Sequence, residues 1–114
     1  MEKQLVVSAL AALAQETRLD VFQLLVRSGP TGLPAGTIGQ RLGIPSATLS
    51  FHLKELKSAG LVRCERRGRS RIYSADFAAI RDVIAFLTSN CCRGIDGAMP
   101  AGEETCDLGA DLDC

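Results

Sequence analysis

The stretch from Pro45 to Tyr73, PSATLSFHLKELKSAGLVRCERRGRSRIY, constrains the fold more than any other part of the chain. Leu49, Leu53 and Leu56 recur at i, i+4 and i+7, which on a helix is one apolar stripe, whereas Ser46, Ala47, Ser50, Lys54 and Lys57 project to the other side. Pro45 suits the first helical turn, where its missing N–H costs nothing, and Gly60 suits the left-handed residue just past the end. The pattern predicts a helix of about fifteen residues with one face for a core and one for a partner.

After Gly60 the pattern changes to short β-like segments, 61–65 and 71–74, separated by Arg66, Arg67, Gly68, Arg69 and Ser70. This reads as a hairpin with a basic tip. Residues 41–71 hold eight Lys and Arg against only Glu55 and Glu65, in a chain whose net charge is zero. A phosphate backbone responds to local charge, not to the total. A leucine-striped helix alone is ordinary core, and an arginine cluster alone is a solvated face; their adjacency in this order points to double-stranded DNA.

Upstream, Thr37 to Leu42 forms a short predicted helix closed by Gly43, and the turn IPSA delivers the chain into the Pro45 helix. Helix, tight turn and recognition helix, followed by the hairpin, make a mainly α winged helix-turn-helix with a small β-hairpin. In that arrangement Ser46 and Ser50 meet base edges or phosphate, Thr48 and His52 lie nearer the flank, and Lys54 and Lys57 sit over phosphates. Arg66, Arg67, Arg69 and Arg71 fall on flanking backbone or minor groove.

Residues 17–25 (T-R-L-x-V-F-x-L-L), the run SATLSFHLKELKSAGLV and the run R-R-G-R-S-R-I-Y together resemble the ArsR/SmtB family of small winged-helix metalloregulatory repressors. The resemblance covers roughly residues 5 to 90. It implies a homodimeric DNA-binding repressor acting on operator DNA, and it leaves the inducer to be argued from the cysteines.

Two helical regions are expected outside the reading module, at about residues 3–15 and 77–91, both rich in Ala and aliphatics. In the second, Phe77, Ile80, Ile84 and Leu87 form one stripe, and Val83 with Phe86 adds a flanking one. That arc is wider than a single surface helix needs. We therefore expect a two-fold dimer through the N- and C-terminal helices, which matches paired half-sites on DNA. No basic region followed by a long apolar run stands at the N-terminus, and no stretch approaches the roughly 20 apolar residues that span a bilayer. A cytoplasmic protein with no membrane partner is expected.

Five cysteines, Cys64, Cys91, Cys92, Cys106 and Cys114, then require a role, because cytosolic thiols more often serve metal or redox chemistry than disulfides. Cys64 on the first wing strand is expected to be a small buried hydrophobe. Cys91 and Cys92 fall at the end of the last expected helix, where adjacent side chains diverge by about 100° unless the helix frays or stops. Residues 1–93 are expected to form the DNA-binding and dimerisation domain, and 94–114 a flexible acidic tail. From Asp96 to Asp113 that tail holds six carboxylates and no Lys or Arg. It also carries Cys106, and loop closure grows only slowly with length, so a third thiol can return to the pair.

The only histidine, His52, is far from the tail, so a Cys/His zinc site is unavailable there and a four-sulfur zinc site would need Cys114. Three convergent thiolates make a soft site of the kind trivalent arsenic or antimony takes, in a pyramid with the lone pair at the apex. The resemblance points the same way. Arsenic-responsive members include ones with an adjacent Cys pair at the end of the last helix and a further Cys downstream, positions that match Cys91, Cys92 and Cys106. Arsenite is the expected inducer, with antimonite as the close chemical relative and Cys114 as the competing third ligand. The alternative is a thiol redox switch, since Arg93 beside the pair favours the thiolate. No acid/base pair, phosphate-cradling glycine loop or histidine beside a tail cysteine is present, so no enzyme is expected, an arsenate-processing one included.

Overall fold

The computed structural model describes residues 1–95. Within them run α1 (Lys3–Leu13), α2 (Glu16–Ser28), β1 (Leu33–Pro34), α3 (Ala35–Leu42), α4 (Ser46–Ser58), β2 (Val62–Arg67), β3 (Ser70–Ala75) and α5 (Phe77–Leu87). The strands form one antiparallel sheet in the order β1-β3-β2. The expected tail of 94–114 lies outside the described residues apart from Gly94 and Ile95.

α2 was not among the expected helices, although the first expected helix, about 3–15, stops where α2 begins; residues 3–28 contain no Gly or Pro to mark that break. The break is made by Gln15, whose extended backbone (φ −150°, ψ 129°) leaves the helix while its side chain accepts a hydrogen bond from Arg18 N at 2.8 Å. That bond satisfies one of the orphan donors of the new helix. α2 then buries Val21, Phe22 and Leu25 and forms the back wall of the core.

α4 begins at Ser46, not at Pro45, which instead occupies the N-cap with φ −59° and ψ 148°. Its apolar residues do what their spacing requires: Leu49, Leu53 and Leu56 are all buried, together with Ile38 of α3 and Leu61 and Val62 at the start of the wing. Gly43 and Gly60 take the left-handed values φ 66° and 79° that end α3 and follow α4.

The wing strands are longer and the tip tighter than expected. β2 and β3 pair from Val62↔Ala75 to Arg67↔Ser70, leaving only Gly68 and Arg69 at the turn. The pairing wins because each further ladder step satisfies backbone groups that a five-residue loop would leave to water. β1 adds a third strand through Leu33↔Tyr73 and Pro34↔Ile72. This approach depends on Gly32, with φ 72°, where a Cβ would collide with the Tyr73 carbonyl.

α5 ends at Leu87, four residues short of the expected limit of 91. Val83 is its only fully buried residue, while Phe77, Ile80 and Phe86 pack partly against the core. The expected stripe therefore splits: Ile84 is half-buried and Leu87 stands 59% exposed. No helix among the described residues is long and apolar enough to cross a membrane.

Candidate nucleic-acid interface and cysteine pair

Away from the leucine stripe, Ser46, Thr48, Ser50, Lys54 and Lys57 are all exposed on α4. No carboxylate is exposed on this helix, because Glu55 is half-buried. The surface is therefore cationic and rich in hydroxyl groups, a combination suited to phosphate oxygens and base edges.

His52 does not belong to that surface. It is 7% exposed, and its Nδ1 accepts a hydrogen bond from Arg18 Nε at 3.2 Å, tying α4 to α2. The signal was present in the sequence: position 52 is three residues after Leu49 and four before Leu56, on the core-facing side. Its neighbour Phe51 is the residue the sequence reading missed, 53% exposed with the Arg18 guanidinium 5.6 Å from its ring centroid.

In the wing, Arg66, Arg67, Arg69 and Arg71 are exposed. Arg67 pairs with Glu65 at 3.0 Å and Arg63 with Asp76 at 3.4 Å, whereas Arg66 and Arg69 make no ion pair among the described residues. These two carry the least compensated positive charge at the tip. Cys64 is half-buried and faces Tyr73 across the strand pair, in keeping with a small apolar role. Burial pushes the Tyr73 hydroxyl above the usual phenol range, and its hydrogen bond with Cys64 adds to this against the lowering effect of Arg71.

The cysteine pair lies beyond α5, not at its last turn. After Thr88 the chain makes two tight turns, with Cys91 N donating to Thr88 O at 3.0 Å and Arg93 N to Asn90 O at 3.3 Å. Asn90 and Cys92 take left-handed φ values of 59° and 62°. Asn tolerates that region, but a cysteine there stores roughly 1–2 kcal/mol of strain. The result is that the two Sγ atoms stand 3.3 Å apart instead of diverging as on a helix. Cys106 and Cys114 lie outside the described residues. Among the described residues no three His, Cys, Asp or Glu side chains converge as a metal site.

Against known proteins, a model of a helix-turn-helix domain matches residues 13–65. The transcriptional regulator NmtR of Mycobacterium tuberculosis is 39% identical over 69 residues, 60% of this chain and 55% of that protein. The chain thus spans little more than half the length of that relative. An ArsR-like transcriptional regulator from Rhodococcus sp. RHA1 superposes with a TM-score of 0.66 at 28% identity, over 74% of this chain and 76% of the other. The chain resembles winged-helix transcriptional regulators of the ArsR/SmtB kind in sequence and in fold. These relatives and neighbours are named as transcriptional regulators. Two other solved structures are informative. A homodimeric winged helix-turn-helix domain from Mycobacterium bovis has a TM-score of 0.63 at 27% identity, covering 75% of this chain and 77% of that one. A possible transcriptional regulator for arsenical resistance also reaches 0.63, at 29% identity over 72% of this chain and 82% of the other.

Proposed function

We propose that this chain is a cytoplasmic, homodimeric repressor that binds operator DNA and is released from it by trivalent arsenic, with antimony as an alternative ion. The observation that carries the inducer is the 3.3 Å separation of the Cys91 and Cys92 sulfurs in a turn that holds both on one side. Once both are reduced, two sulfurs so placed are close enough for one soft atom to bridge, and Cys106 supplies the third. With the thiols reduced, each sulfur displaces one hydroxide of arsenite, and its proton leaves with that hydroxide as water. The product is a neutral three-sulfur pyramid. Likeness to a possible regulator for arsenical resistance supports the same reading.

The dimer reading rests on α1 and α5. Leu5 and Val7 of α1 are 54% and 58% exposed and Leu87 of α5 is 59% exposed, on two helices that touch each other. Burying these side chains against a second copy sets the distance between two α4 helices, and so the match to two half-sites about one helical turn apart. The cysteine turn follows directly on α5, so an ion bound there acts on the element that sets this spacing. Coupling is reciprocal, so DNA weakens arsenic binding by the same factor; about 3 kcal/mol corresponds to roughly 150-fold.

The test is fluorescence anisotropy on duplexes selected from a random library by the reduced protein, titrated with arsenite. Release is expected for wild type and Cys114→Ser, and lost in Cys91→Ser, Cys92→Ser and Cys106→Ser. The same sulfur proximity favours a second reading, oxidation to a disulfide, and release by peroxide with none by arsenite would replace the arsenic switch with a redox one.

A further inference from the structure

Phe51 is the one large apolar side chain on a surface made mostly of hydroxyls and ammonium groups. Ala47, Phe51, Lys54 and Ser58 follow one another at i, i+4, i+7 and i+11, directly opposite Leu49, Leu53 and Leu56, and all four are exposed. The ring keeps half its surface in water, and no other large hydrophobic side chain of this helix is left in that state.

The ring is also held. The Arg18 guanidinium lies 5.6 Å from its centroid, while Arg18 Nε donates to His52 Nδ1 at 3.2 Å. His52 in turn meets Phe51 edge to face, with centroids 5.6 Å apart at 61°. The buried histidine anchors the arginine, and the arginine steadies the ring by a cation–π contact.

We infer that Phe51, with the methyl of Ala47 one turn before it, reads the C5-methyl group of a thymine in each half-site, and that Arg18 is the residue that positions it. This rests on the DNA reading proposed above. The thymine methyl is the apolar feature of the major groove, and apolar side chains on a recognition helix read it by contact. Lys54 on the same stripe and Lys57 beside it draw the phosphates of the same groove, so ring and methyl are brought together by charge. A sequence preference for thymine then arises without a hydrogen bond from the aromatic residue.

The experiment replaces each thymine of a selected duplex, one at a time, by deoxyuridine, which differs only in lacking that methyl. For the full-length wild type, one position in each half-site is expected to lose about fourfold in affinity, the equivalent of about 0.8 kcal/mol for one buried methyl-sized group. Phe51→Ala is expected to bind both duplexes equally, and Arg18→Ala to narrow the ratio without changing affinity for the uracil duplex. Phe51→Gln provides the same comparison if the alanine variant fails to give the wild-type circular dichroism. Wild type indifferent to uracil at every position, or an unchanged fourfold ratio in the Phe51 variants, would overturn the inference while leaving DNA binding intact. Failure to select any duplex overturns the DNA reading itself, and this inference with it.

Discussion

α4 and α5 are helices of 13 and 11 residues with apolar stripes, yet they complete those stripes in opposite ways. α4 buries Leu49, Leu53 and Leu56 entirely within its own chain, whereas α5 buries only Val83 and leaves Leu87 in water. Their starts differ too. α4 has no side-chain cap at Pro45, while Asp76 caps α5 by accepting from Ala79 N at 3.1 Å. A helix rich in packing is placed by the core; one poor in packing is secured at its end. The proposed reading head is thus fixed by folding, and in the proposed dimer the distance between two heads is what an inducer would alter.

The comparison is most easily broken in the core. Leu53→Ala is expected to destabilise the protein by about 4 kcal/mol, read as a lower urea midpoint at unchanged slope. A loss below 1 kcal/mol would mean that α4 is not held by its own chain. On the other helix, Leu87→Glu is expected to weaken self-association by about 2 kcal/mol, roughly thirtyfold in sedimentation equilibrium, with helix content preserved. An equal loss of monomer stability would erase the difference between the two helices.

Asp76→Ala removes the cap of α5 and the partner of Arg63, and is expected to lower stability by about 1 kcal/mol in thermal melts. The corresponding change at the start of α4 has no capping side chain to remove. Arg66→Ala is expected to leave melting within about 0.5 kcal/mol of wild type and to reduce the salt slope of DNA affinity by about 1. The smallest effect concerns Tyr73, whose folded-state pKa lies above the ordinary 10.0. Its contribution is full below that ordinary value and is lost as pH rises through the folded one, so Tyr73→Phe should flatten the alkaline limb of a pH–stability curve.

The spacing of leucines and glycines made α3, α4 and the wing legible, because period and turn chemistry act between near neighbours. The same arithmetic, applied more strictly, would have moved His52 into the core and brought out Phe51. α2 was hidden because its start is a glutamine that caps, a role this residue type does not advertise. The cysteine pair was legible as a pair, but not as a turn: nothing in Thr88 to Cys92 forbids another helical turn, and the left-handed values at Asn90 and Cys92 are a property of the folded chain.

By itself, then, the sequence determined α3, α4, the wing, the basic surface and the resemblance to winged-helix regulators, since these follow from local periodicity, charge and motif. Only the tertiary structure decided which sides of the helices remain uncovered, that Arg18 reaches across to His52 and Phe51, and that two adjacent sulfurs face the same way. Those outcomes depend on contacts between residues far apart in the chain and on backbone angles at single positions, neither of which residue spacing encodes.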